Sequence, residues 1–297
     1  MSAVLGIDVG GTSVKSRVVS GDVIRWERRD PTPQQDADGC ALGQLVAEIA
    51  SEAARSCGEI EAIGLVVPGI VDDARGEAVL SVNIGWHDLP LRDIVRDHLA
   101  KAGSPLAIAF GQDVRAGALA ESRSGAAAGL TGTTAFVPVG TGLASALVVD
   151  GILVSGQEWP GEDGQVLIEV GPHAGSRVEE IASASAVARR VGAPNAQAAA
   201  ELVRTGDARA AAVWGECIEV LADAVASIVR RSGCTTVVLG GGLAESGPLL
   251  FEPLTEALRI RLSGGSSPKL LPALHRDGAA AAGAVLLAQD LLEHIDR

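Results

Sequence analysis

The chain has 297 residues, 47% of them hydrophobic, and a formal net charge of -13, a size that suits two domains of about 150 residues each with separate cores. The acidic balance excludes a protein built to grip nucleic acid through clustered Lys and Arg, and no apolar run reaches the length needed to span a bilayer. Aromatic residues amount to 2% and tyrosine is absent, so Ala, Val, Leu and Ile must fill the cores.

Val4, Leu5 and Ile7 read as a short buried strand, Gly10 and Gly11 as the permissive backbone of a tight turn, and Val14, Val18 and Val19 as the strand that follows. A carboxylate just before such a turn, here Asp8, can hold a hydrated magnesium. The turn amides and the Thr12 hydroxyl can cradle phosphate oxygens. An ordinary hairpin with Asp8 as a turn residue fits the same residues. No Gly-Lys-Ser/Thr follows the turn, and the Gly-x-Gly-x-x-Gly spacing of a dinucleotide fold is missing.

Residues 23–29 extend the meander by a third strand, and a helix is expected from about Asp38 to Cys57 with Asp38 as its cap. The continuous apolar run Ala62 to Val67 ends in Pro68-Gly69, the pattern of a buried strand opening into a loop. Such strand ends are where α/β sheets bind ligands. In the next loop Asn83 reads as a turn residue and Trp86 as a core aromatic, before a helix over Leu91 to Ala102. Leu106 to Phe110 is another strand, and Gly111-Gln112-Asp113 leads into a small-residue helix through Glu121. Asp113 therefore sits where a strand ends and a helix begins. As a cap it is worth about 1 kcal/mol. As chemistry, it can take a proton from a substrate hydroxyl. The helix amides favour its ionised, weakly basic form, which suffices for phosphoryl transfer, where proton removal is not the main barrier.

The second half repeats the opening device. Thr133 to Val139 is a strand, Gly140-Thr141-Gly142 a second glycine turn, and Leu143 to Val149 a strand that Asp150-Gly151 turns into Ile152 to Val154. Glu162, in the loop Trp159 to Gln165, and Glu179, at the head of a helical stretch through Ser183 to Arg190, are by default solvated acids. A long amphipathic helix runs from a cap at Asp207 to Ser232 and closes at Gly233. Val237 to Leu239 ends in Gly240-Gly241-Gly242, a third glycine turn that fits a flat ligand against backbone as well as it fits a plain loop. A helix over Pro248 to Leu262, a strand over Lys269 to Leu271 and an Ala-rich helix from Asp277 complete the chain. The four cysteines, Cys40, Cys57, Cys217 and Cys234, show no Cys-x-x-Cys spacing and read as free, mostly buried thiols. With no signal-peptide pattern at the amino terminus, a cytoplasmic protein is expected.

Taken together, Asp8-x-Gly10-Gly11-Thr12, Val67-Pro68-Gly69, Asn83-Ile84-Gly85-Trp86, Asp113, Gly140-Thr141-Gly142, Gly161-Glu162 and Gly240-Gly241-Gly242 resemble, in order and over nearly the whole chain, the ROK family of sugar kinases and sugar-responsive repressors. The resemblance implies an α/β chain with the actin-like, hexokinase-like (ribonuclease H-like) ATPase fold, two α/β domains around a cleft. Their expected extents are 1–110, joined by the final helix 280–297, and 111–279. It implies that Asp8, Gly10, Gly11, Thr12, Thr141 and Gly142 meet magnesium and the phosphates of ATP, with Gly241 and Gly242 near the adenosine. It implies likewise that Gly69, Asn83, Gln112, Asp113, Glu162, Gln165 and Glu179 surround a hexose, and that Asp113 is the base activating its 6-hydroxyl. Family members are commonly dimers, so a homo-oligomer is expected.

Two departures bear on substrate. Gln112 stands where family kinases usually carry Asn, and Gln165 where they carry a His that touches the sugar and ligates zinc. The zinc cluster that should follow is missing, and His173 alone cannot make a four-ligand site, so no structural zinc is expected. Repressors of the family carry an amino-terminal helix-turn-helix, for which a phosphate hairpin beginning at residue 5 leaves no room. The reading is an ATP- and magnesium-dependent kinase for glucose or a close relative. The alternatives are a sugar or nucleotide sensor without turnover and a kinase for an amino sugar or cyclitol.

Overall fold

β1 (Ala3–Val9) is buried along almost its whole length, and the strands around it explain why. The computed structural model describes residues 3–82, 84–263, 265 and 267–295. They fall into two compact units, Met1–Ala120 with Gly278–Arg297, and Glu121–Asp277.

In the first unit β1 is followed by β2 (Ser13–Ser20), β3 (Val23–Pro31), α1 (Cys40–Cys57), β4 (Ala62–Val67), β5 (Ile70–Asp72), β6 (Glu77–Ser81), β7 (Trp86–Leu89), α2 (Leu91–Lys101), β8 (Ala107–Gln112) and α3 (Asp113–Arg123), whose residues from Glu121 on fall in the second unit. The main sheet has the order β3-β2-β1-β4-β8, and a small antiparallel sheet is formed by β5, β6 and β7. β1 runs antiparallel to β2 and parallel to β4, which runs parallel to β8. The unbroken apolar run of β4 is buried at every position, as a parallel strand covered on both faces must be. β2 nearly alternates buried and half-buried residues. One face is packed by Leu42, Val46 and Ile49 of α1 and by Leu91, Val95 and Leu99 of α2.

The cap of α1 differs from expectation. Asp36, buried, accepts the amides of Ala41 and Leu42 at 2.9 Å each, while Asp38 takes only that of Cys40 at 3.1 Å. Asp36 also offers its backbone oxygen to the indole N–H of Trp86 at 2.8 Å, so one residue starts the helix and satisfies the buried aromatic.

The second unit contains β9 (Thr133–Pro138), β10 (Ala146–Val149), β11 (Ile152–Leu153), α4 (Val178–Ile181), α5 (Ala184–Val191), α6 (Ala196–Arg204), α7 (Ala208–Ser232), β12 (Thr236–Gly240), α8 (Gly241–Ala244), α9 (Pro248–Arg261) and β13 (Lys269–Pro272). Its sheet, β11-β10-β9-β12-β13, repeats the pattern of the first: a three-strand antiparallel meander continued by parallel strands. Asp150 and Gly151, at φ 50° and 83°, turn β10 into β11. The central helix α7 begins where the Asp207 carboxylate accepts the amide of Ala210 at 2.8 Å, and it ends at left-handed Gly233. The helical stretch expected from Glu179 to Arg190 is broken. Ala182 leaves helical geometry, and Ser183 starts α5 by accepting the amide of Ala186 at 3.0 Å.

The last helix, α10 (Ala279–Ile295), returns to the first unit and lies on β1 and β4. Its backbone approaches too closely for side chains: a Cβ on Gly64 would lie 1.8 Å from the carbonyl oxygen of Ala284, and one on Gly283 would lie 1.9 Å from that of Ala116 in α3. The cysteines are free, but Cys40 is exposed and Cys57 half-buried; only Cys217 and Cys234 are buried, and burial pushes the Cys217 thiol up to about 12.

Candidate functional site

The candidate residues of the first unit gather at one sheet edge because β1, β4 and β8 are parallel and end together. Asp8 is in register with Val66, and Val67 with Gln112. Asp8 is 6% exposed and stands opposite Lys15 on the β1–β2 ladder, with Oδ2 3.7 Å from the ammonium. The turn beyond it is held otherwise than the sequence suggests. Neither Gly10 nor Gly11 adopts positive φ; the Gly10 amide donates to Ser13 at 3.0 Å, and Thr32 bonds the carbonyls of Gly10 and Thr12 at 2.6 and 3.1 Å. Thr12 is exposed at the tip. Gly69 has φ 99°, and a Cβ there would lie 2.2 Å from the Leu80 oxygen. Asn83 lies outside the described residues.

At the end of β8 the cap of α3 is not Asp113. Gln112, buried, accepts the amide of Arg115 at 2.8 Å, and Asp113 is the first helical residue, its Oδ1 taking the amide of Val114 at 2.7 Å. Two residues further on, Arg115 pairs with Asp73, whose carboxyl is raised by burial in spite of that guanidinium. Asp73 and Arg115 carried no motif by which to find them.

In the second unit β9 and β12 end side by side, Pro138 in register with Gly240. The Gly140 amide donates to the Gly142 oxygen at 3.0 Å, leaving Thr141 exposed at the tip. The third glycine turn is not a turn: Gly240 ends β12 and Gly241, at φ 76°, opens α8 directly. The cause is contact with the neighbouring strand end. The Leu243 amide donates to the Val139 oxygen at 3.1 Å, and a Cβ on Gly241 would lie 2.5 Å from that same oxygen.

Glu162, Gln165 and Glu179 are brought together. The Gln165 amide nitrogen donates to Glu179 Oε1 at 2.6 Å, and its oxygen accepts Arg177 Nη1 at 2.9 Å. Glu179 Oε2 lies 3.4 Å from the Leu143 amide. The Glu162 carboxyl is raised above its ordinary value by burial first, then by the negative charges of Glu179 and Asp163. Asp163, buried, accepts the Ser145 hydroxyl and the Arg231 guanidinium; Arg231 stacks 4.4 Å over the Trp159 ring, whose N–H donates to Ser145 at 2.8 Å. Sequence reasoning missed Asp163, Arg231 and Arg177, whose partners lie 12 to 68 positions away.

Between Gln165 and Glu179 the chain forms a hairpin closed by backbone bonds, Val178 to Val166 at 2.9 Å and Ile168 to Ser176 at 2.8 Å. His173 points its Nε2 at Glu216, 3.3 Å away, which Arg190 also engages; that guanidinium first, and His173 less, holds the Glu216 carboxyl below its ordinary value. Among the described residues no group of three or more His, Cys, Asp and Glu is placed to hold a metal ion.

The model of the ROK family matches residues 4–291. A glucokinase from Thermotoga maritima is 28% identical over 282 residues, covering 85% of this chain and 86% of its own. A kanosamine kinase from Amycolatopsis mediterranei is 28% identical over 296 residues, 96% of this chain and 95% of its own. In fold, a ROK family glucokinase from Streptomyces griseus, crystallised with glucose and AMPPNP, superposes with a TM-score of 0.80 at 24% identity, over 97% of this chain and 100% of its own.

Proposed function

The chain belongs to the ROK family and has its actin-like, hexokinase-like fold, and from that premise we propose that it is a sugar kinase that moves the γ-phosphate of ATP to the 6-hydroxyl of a hexose. The observation that carries the reading is the placement of Asp113 at the end of β8. Gln112 accepts the Arg115 amide, and Asp113 stands at a parallel strand end, at the first position of a helix, with its Oδ1 on the Val114 amide. There it would accept the hydroxyl proton as the phosphorus–oxygen bond forms. Glu162, Gln165 and Glu179, together with Gly69, Asn83 and Gln112, are the residues that would grip the sugar. That grip holds the 6-oxygen in line with the γ-phosphorus, and positioning is the larger part of catalysis in phosphoryl transfer.

For the donor, Asp8, Gly10, Gly11, Thr12, Thr141 and Gly142 are assigned to the phosphates and Gly241 and Gly242 to the adenosine; the AMPPNP bound by the Streptomyces griseus enzyme supports ATP. Asp8 fits magnesium as a single buried carboxylate, the donor set of an ion that keeps waters and phosphates as its other ligands. When bound, the ion supplies neutralisation of the phosphate charge. No described helix is long and apolar enough to cross a membrane; a cytoplasmic homodimer is part of the proposal, the dimer on family resemblance alone.

Within this activity a second substrate class is favoured by one observation. Burial and the charges of Glu179 and Asp163 raise the Glu162 carboxyl, and an ammonium on the sugar would relieve that repulsion. The kanosamine kinase among the relatives supports an amino sugar. The test is ADP release with magnesium-ATP against glucose, mannose, N-acetylglucosamine, N-acetylmannosamine, glucosamine and kanosamine, with Asp113→Asn as the control. Turnover with one sugar, lost in the variant, supports the kinase and names the substrate. No turnover with any sugar overturns it in favour of a sensor or a cyclitol kinase.

A further inference from the structure

We propose that Arg177 is a positioning residue that fixes which way the Gln165 amide faces and thereby locks the carboxylate of Glu179. The functional half of this inference rests on the assignment of Glu179 to the sugar. Arg177 sits just before α4, where its own amide donates to Glu180 Oε2 at 2.8 Å, so its backbone is held by the helix start. Its Nη1 reaches Gln165 Oε1 at 2.9 Å. A guanidinium has donors and no acceptor, so Gln165 must turn its oxygen to Arg177 and its nitrogen to Glu179, which it meets at 2.6 Å. The amide is thus oriented by charge on both sides: a cation at its oxygen, an anion at its nitrogen.

The consequence concerns recognition. With its oxygen turned to Arg177 and one N–H on Glu179, Gln165 keeps one N–H to offer a ligand. That N–H suits a hydroxyl or carbonyl oxygen at that point of the sugar. Without Arg177 the amide is held from its nitrogen side alone, by Glu179, and is less firmly fixed.

The deciding experiment uses the full chain labelled with 15N-glutamine, with the Gln165 side-chain signals assigned by their loss in Gln165→Ala. In the unaltered protein the two amide protons should be widely separated, the one facing Glu179 downfield. In Arg177→Ala they should collapse toward free-amide positions, and Arg177→Lys, also a pure donor, should restore most of the separation. In steady-state assays Arg177→Ala should raise the sugar KM about tenfold, the loss of one charge-assisted hydrogen bond, with kcat and the ATP KM nearly unchanged. In a Gln165→Ala background the same substitution should have no further effect. Unchanged Gln165 signals in Arg177→Ala, an unchanged sugar KM, or additive effects in the double variant would each overturn the proposal. If the unaltered protein phosphorylates no sugar, the kinase reading fails, while the amide spectrum still decides whether Arg177 orients Gln165.

Discussion

The Gln165 amide nitrogen lies 2.6 Å from Glu179 Oε1, a bond between an uncharged side chain and a carboxylate at the position where related kinases are expected to carry a zinc-binding His. The two residues are the feet of a hairpin that its own backbone bonds close. Gln165 does not titrate near neutral pH, so the acid–base behaviour of this corner falls to the carboxyls, and to Glu162 above all.

That places a sign on the pH dependence. The Glu162 carboxyl is raised by burial, and then by Glu179 and Asp163, so in the window between its unfolded and folded values the native state holds more protons than the unfolded one. Stability must therefore fall as pH rises from about 4 through the raised value. Glu162→Gln should melt at a higher temperature than the unaltered protein at pH 7, with the gap closing toward pH 4, and should lose sugar affinity. Thermal melts of both proteins across pH 4 to 8 check the sign; a gap that widens on acidification would contradict it.

Asp113→Asn keeps the shape of the residue and leaves the Gln112 cap in place. It should lower kcat by about a hundredfold to ten-thousandfold, the usual contribution of a positioned general base. The melting temperature should move little. A variant that retains turnover would remove Asp113 from the chemistry, and one that loses turnover only by unfolding would assign it a structural role.

How much of this was legible depends on how local the cause is. Asp207, Gly233 and the Asp150-Gly151 turn could be read because a cap or a tight turn is decided by a few adjacent residues. Asp36 and Asp38 have the same capping propensity, and Asp113 outranks Gln112, so propensity does not point to Asp36 or Gln112, and only the packed structure makes the choice. The grouping of Glu162, Gln165 and Glu179 followed from family resemblance, but Arg177 did not, since its role appears only once the hairpin from Val166 to Val178 has closed. The close passage of α10 over Gly64 is equally invisible, because nothing near Gly64 in sequence announces a helix more than 200 residues later.

Glu121 makes a prediction about stability alone. It is 1% exposed, and its carboxylate accepts the amides of Ala126 at 2.8 Å, Leu274 at 3.0 Å and His275 at 2.7 Å, tying the end of α3 to the segment after β13. Glu121→Ala leaves three donors without an acceptor and should cost about 3 kcal/mol. Glu121→Gln, which keeps one acceptor oxygen, should cost less. Urea unfolding followed by circular dichroism gives both values, and equal losses would show that the volume of the side chain matters rather than its oxygens.

Two glycines flank Glu179 for different reasons, and alanine at each should separate them. A Cβ on Gly142 would meet only the Glu179 carboxylate, at 2.6 Å from Oε2, whereas one on Gly164 would lie 2.3 Å from the backbone oxygen of Leu143 as well as 2.8 Å from Glu179 Oε2. Neither glycine has positive φ, so alanine is tolerated by the backbone at both and only the contacts decide. Gly142→Ala should fold normally and displace the carboxylate, raising the sugar KM; in a Glu179→Ala background, where nothing is left to displace, it should add nothing to that KM. Gly164→Ala forces the backbone at Leu143 to move and should cost about 2 kcal/mol of stability, whatever stands at position 179. If Gly142→Ala instead raises the ATP KM and leaves the sugar KM alone, the glycine serves the phosphates, and its closeness to Glu179 is incidental.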